Sequence, residues 1–94
     1  MANIFNGHRY KLDTPGASPI STLAHYVKSL TWTGTGMTSG ITTCLITDPV
    51  NGQYLMYSIA TGVTVVEFRR LGEWWHNGFT LTTLDSGLVT IALR

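Results

Sequence analysis

Ile41-Thr42-Thr43-Cys44-Leu45-Ile46-Thr47, followed by Asp48-Pro49-Val50-Asn51-Gly52 and then Gln53-Tyr54-Leu55-Met56-Tyr57-Ser58-Ile59-Ala60, carries the strongest structural signal in the chain. Two runs of β-branched, aromatic and aliphatic residues flank a cluster of turn formers. Asn51-Gly52 supplies the positive backbone angles that a tight hairpin turn demands. The expectation is an antiparallel pair over residues 41–47 and 53–60.

The same pattern recurs downstream. Residues 79–84 and 88–93 flank Asp85-Ser86-Gly87, which predicts a second hairpin with Phe79, Leu81 and Thr83 on one face and Val89, Ile91 and Leu93 alternating on the return. Between the pairs, residues 64–69 read as a strand with Val66 and Phe68 inward, and residues 73–76 as a short strand ended by Asn77-Gly78. Upstream, the alternation of Tyr26, Lys28, Leu30 and Trp32 marks a strand from Tyr26 onward. Over residues 20–26 helix and strand both fit, because Ser18-Pro19 can cap and open a helical turn through Leu23, Tyr26 and Val27. Strands at roughly 8–12-residue spacing predict an all-β fold: a small antiparallel β-sandwich, or a Greek-key or jelly-roll barrel, of about 7–8 strands. No period of about 20–50 residues recurs, so no solenoid is expected.

Residues 1–19 read as an N-terminal arm and residues 20–94 as a single β-sandwich domain. The arm ends in the breaker run Thr14-Pro15-Gly16-Ala17-Ser18-Pro19. Its anchors Ile4, Phe5, Tyr10 and Leu12 are too apolar for a solvated tail. They are candidate interface residues, docking either on their own domain or on a neighbour.

A chain of 94 residues builds one modest core, and 44% hydrophobic residues suffice for it. Charged residues make up 12%, about half the roughly 25% of an average soluble domain. Thr, Ser, Asn and Gly take their place, and small neutral groups lose little when buried against another protein. That points to assembly. A net charge of +1, with Arg69-Arg70 as the tightest basic group, leaves no footprint for nucleic acid in the sequence. A single cysteine excludes an intrachain disulfide and paired-cysteine metal sites, and Cys44 between Thr43 and Leu45 reads as a small buried apolar residue. No run approaches the ~20 apolar residues of a membrane span, and residues 1–6 lack the order of a signal peptide. The expected product is soluble and made in the cytosol, with no membrane or cofactor partner.

Catalytic patterns are weak. His8, His25 and His76 are far apart, no Ser lies in a G-x-S-x-G elbow, and Asp48 and Asp85 begin tight turns. Glu67 and Glu73 are the remaining carboxylates outside the arm. The run from Gly34 to Gly40 lacks the spacing and Lys of a phosphate loop and leads into a strand. Neither an enzyme nor a metal site is expected. Trp74 and Trp75 are adjacent, so in a strand one fills the core while the other meets solvent or a partner; both are candidate interface residues.

Residues 26–93 resemble a group of small β-sandwich proteins found among bacteriophage virion components. The resemblance is carried by Val27-Lys28-Ser29-Leu30-Thr31-Trp32-Thr33-Gly34, by Cys44-Leu45-Ile46-Thr47-Asp48 with Asn51-Gly52, by Val65-Val66-Glu67-Phe68, and by the run from Gly78 to Gly87. It implies a non-enzymatic particle component, a capsid decoration or cement protein, with a tail or fibre part also open. The implied partners are a homo-oligomer, dimer or trimer, and a major capsid or other virion protein. Trp74-Trp75-His76 departs from the small polar residues the group would carry there. The rival expectation is a host-receptor or carbohydrate-binding module, marked by an exposed near-planar aromatic pair ringed by Asp, Asn or Gln.

Overall fold

A computed structural model describes residues 3–16 and 18–94. The described residues are all-β, with eight strands: β1 (Ile4–Asn6), β2 (Arg9–Leu12), β3 (His25–Gly34), β4 (Thr43–Thr47), β5 (Tyr54–Ile59), β6 (Val65–Trp75), β7 (Thr80–Leu84) and β8 (Leu88–Leu93). They form two antiparallel sheets, ordered β1-β2-β8-β3-β6 and β5-β4-β7. No helix occurs among the described residues, and residues 20–24 run irregularly into β3.

Alternation explains the sandwich. Leu30 pairs with Ile91 and Ile91 with Tyr10, so one row of the larger sheet turns three apolar side chains inward. Cys44 and Ile46 of β4, Met56 of β5 and Leu81 of β7 meet them from the smaller sheet. Trp32, Trp75 and Phe79 are the bulkiest fully buried side chains, and the Trp75 and Phe79 rings meet at 5.5 Å. Trp32 keeps its indole N–H satisfied by donating to the Ser86 carbonyl at 3.1 Å.

The first hairpin forms as β4 and β5. Its turn places only Gly52 at positive φ, 72°. Asp48 organises the loop: its carbonyl accepts from Gly52 N at 2.9 Å, and its carboxylate accepts from Val50 N at 2.8 Å.

Three expectations are corrected. The predicted hairpin over 79–84 and 88–93 does not pair with itself: β7 joins β4 in the smaller sheet, while β8 lies between β2 and β3 in the larger. Residues 85–87 cross between sheets. The alternation expected for β7 also breaks: a bulge after Leu81 turns Thr83 outward opposite Leu45, while Leu81 and Leu84 stay buried, and the Trp32 bond to Ser86 ties the arch to β3. Second, β6 has the opposite phase: Val65 is buried, whereas Val66 is 80% and Phe68 59% exposed. The inward positions Glu67 and Arg69 are satisfied at the sheet edge, because Ser58 Oγ donates to Glu67 at 2.7 Å and Arg69 donates to the Tyr57 carbonyl at 3.0 Å. Third, Lys28 is a bulge residue, since Val27 pairs with Leu93 and Ser29 with Ala92. The bulge breaks the alternation, so Tyr26 and Lys28 face out while Val27, Leu30 and Trp32 face in.

The N-terminal segment docks on its own chain. β2 is an interior strand of the larger sheet, with Leu12 fully buried and Tyr10 8% exposed. The following segment runs along β7, where Gly16 N donates to Leu81 O at 3.1 Å and Ile20 N to Phe79 O at 2.9 Å. Of the arm expected over residues 1–19, residues 1, 2 and 17 lie outside the described residues.

Candidate functional site

The core divides the expected interface residues into two groups. Tyr10, Leu12 and Trp75 are buried within the chain and offer no outward surface. Burial won because each falls on the inward phase of its strand. Ile4, Phe5 and Trp74 are exposed, with Trp74 at 52% against 2% for Trp75. Phe5 covers Tyr10, ring centroids 4.5 Å apart. Of the three, the structure brings Phe5 and Trp74 to one groove beside Tyr26 and His25, whereas Ile4 stands apart in the row Ile4–Lys11–Thr90–Thr31–Phe68.

Two outward faces result. On the larger sheet, the registered rows Arg9–Ala92–Ser29–Arg70 and Lys11–Thr90–Thr31–Phe68 cross β2, β8, β3 and β6. Directly opposed residues share a face, so these rows put Arg9, Lys11 and Arg70 on one side with Phe68. A groove of ≈ 650 Å³ opens at one end of this face, lined by Tyr26, Lys28, Phe68, Arg70, Gly72 and Arg94 among others. The Arg94 guanidinium sits 5.1 Å over the Tyr26 ring, and Trp74 meets Tyr26 edge-on at 5.5 Å. A second groove of ≈ 520 Å³ shares Tyr26 and Arg94 with the first and adds Trp74, His8 and His25. His76 stacks on Trp74 at 5.9 Å and 14°.

The smaller sheet presents a different surface. Its outward rows Tyr57–Leu45–Thr83 and Ile59–Thr43, with Tyr54 paired to Thr47, carry no charged side chain. Tyr54 and Tyr57 stack at 5.8 Å and 29°. Asp85, at the rim, accepts from both the Thr43 amide and hydroxyl at 3.0 Å.

One polar contact was invisible in the sequence. Ser21 Oγ lies 2.8 Å from His25 Nε2, and Tyr10 Oη 3.4 Å from the same nitrogen. A hydroxyl beside an imidazole can form an activated nucleophile when a third group orients the base. Here burial lowers the His25 pKa, no carboxylate hydrogen-bonds its ring among the described residues, and Ser21 Oγ also accepts from Leu23 N at 3.1 Å. The contact fastens the loop that leads into β3. Its four-residue spacing in a segment without regular structure gave no signal. Among the described residues no group of His, Cys, Asp and Glu could hold a metal ion. No helix of the described residues is long and apolar enough to cross a membrane.

Compared with known protein families, curated proteins and solved structures, the chain has no significant match.

Proposed function

We propose that the chain is a non-enzymatic structural subunit of a bacteriophage particle, of the capsid decoration or cement kind, that packs against neighbouring protein through the outward face of its smaller sheet. The supporting observation is the composition of that face: Tyr54, Tyr57, Leu45 and Ile59 alternate with threonines and without charge. Tyrosine is enriched in binding hot spots, and a neutral, hydroxyl-rich surround is cheap to desolvate. The virion assignment itself rests on the sequence resemblance and on the low overall charge.

Light scattering on the purified protein tests the packing step. A dimer or trimer is expected, reduced by Tyr57→Glu to a monomer that keeps β-rich circular dichroism and a thermal midpoint independent of protein concentration. A wild-type protein that stays monomeric alone and ignores the shell of its phage overturns the proposal. Stoichiometric recovery of the chain in purified particles is the corresponding test of the virion assignment.

A carbohydrate-binding reading is favoured by one specific observation, the exposed Tyr54–Tyr57 pair, whose stacked rings are inclined by 29°. Titration of the monomer with oligosaccharides under NMR separates the two readings, since sugar stacking shifts both tyrosine rings without changing the oligomeric state.

A further inference from the structure

The larger sheet's outward face has chemistry that protein assembly through the smaller sheet does not use. The chain has six Lys and Arg residues. Five of them reach this side: Arg9, Lys11 and Arg70 through the strand register, and Lys28 and Arg94 through the groove beside Tyr26. The sixth, Arg69, points inward and pairs with Glu67 at 2.8 Å. None of the described residues lining the groove is Asp or Glu. A formal net charge of +1 therefore conceals a segregated field.

The same face carries exposed rings. Phe68 and Trp74 lie six residues apart on β6, about 20 Å along the strand, with Tyr26 beside Trp74. Arg9 and Arg70 are three strand spacings apart, about 14 Å across the sheet. Gly72 leaves the groove floor open: a Cβ there would meet only the Tyr26 hydroxyl, at 3.5 Å. Cations spread over a flat surface with rings between them are how proteins hold an unpaired polynucleotide, the cations following the backbone and the rings stacking on bases.

We propose that this face binds single-stranded nucleic acid, with Phe68 and Trp74 stacking on bases and Arg9, Lys28 and Arg70 facing phosphates. In a duplex the bases are already stacked on one another, so Phe68 and Trp74 would find no free base face there. An acidic protein segment would match the cations but would offer no base to stack on Phe68 or on the side of Trp74 away from His76. The rings therefore select the single strand.

Fluorescence anisotropy of a labelled twelve-residue oligothymidylate, titrated with the full chain in 50 mM salt, tests the proposal. Saturable binding is expected. With three phosphates contacted, affinity should fall about 20-fold on raising salt to 200 mM. Phe68→Ala should weaken binding by about 5- to 150-fold, and Arg70→Gln should reduce the salt dependence. Both side chains are exposed, so unchanged circular dichroism and thermal midpoints are expected and serve as the folding check. Absence of binding at 50 mM salt overturns the proposal. So does binding indifferent to Phe68→Ala, or equal displacement by a polyglutamate of matched charge, which would mark an acidic-protein site. Equal affinity for duplex DNA would overturn it too.

Discussion

Cys44 shows how completely one side chain's chemistry is set by its position. It stands on the inward phase of β4, fully buried, opposite Ser58, whose hydroxyl bonds to Glu67. Burial, reinforced by the Glu67 carboxylate and partly offset by Arg69, pushes the thiol pKa up to about 12. At pH 8 such a thiol is ionised about one part in ten thousand, and the thiolate is the nucleophile. The native protein should therefore resist Ellman's reagent for hours at pH 8 and react stoichiometrically in guanidinium. Reaction within minutes in the native state would place the thiol at the surface. Trp74 and Trp75 show the same control by strand phase: one indole is covered by the core and bonded to Glu73 at 3.0 Å, and its neighbour stands in solvent.

At the scale of elements, the turns separate two kinds of glycine. Gly52 needs its positive φ, 72°, but has open space around it. Gly52→Val should cost about 1–2 kcal/mol from backbone strain alone, lowering the melting midpoint by roughly 4–8 °C for each kcal/mol. Gly78, at φ 81°, lies against the Ser21 carbonyl, where Phe79 N bonds at 3.0 Å, so a Cβ would collide with backbone that cannot move without breaking the bridge. Gly78→Ala should lower the midpoint further than Gly52→Val. Differential scanning calorimetry of both variants checks the order, and a milder Gly78→Ala would show that the segment over 18–21 is not fixed to β7. Much of this was legible: the β4–β5 hairpin, the opposed tryptophans and the buried cysteine follow from residue type and period, whereas residues 64–69 and 73–76, expected as two strands, are the single β6, and β1 and β2 lie in what read as an arm. The partners of β7 and β8 were not legible, because alternation fixes which face a strand buries and says nothing about which sheet it joins. The phase of β6 was misread because Val66 and Phe68 are its more apolar set, while Glu67 and Arg69 gain specific partners at the edge only once β5 is in place. The cation cluster was illegible for the same reason: Arg9, Lys28 and Arg70 are distant in sequence and meet only across the ladder.

For the whole molecule, the strand order makes the N-terminal segment part of the fold's closure. β2 covers the flank of β8 with four registered pairs, and Leu12 and Tyr10 reach the common core. β1 adds an outer edge, where Phe5 covers Tyr10 and the preceding Asn3 accepts from Asp13 N and Thr14 N at 2.9 Å, but Ile4 and Phe5 remain about half exposed. Deleting residues 2–6 should therefore cost a little stability and leave the fold intact, whereas deleting residues 2–12 should not be tolerated. The longer deletion forfeits roughly 1.5–3 kcal/mol for each of two large buried side chains, leaves a cavity over Ile91 and Val89, and uncovers the β8 edge. Small domains are stable by about 5–15 kcal/mol in all, so a loss near 5 kcal/mol takes the chain to the margin of folding. The shorter truncation should keep a single cooperative urea transition and β-rich circular dichroism; the longer should unfold at much lower urea or lack a cooperative transition. If the 2–12 deletion instead melts like the full chain, then β2 contributes nothing to the core, and the five-strand order of the larger sheet is wrong at that edge.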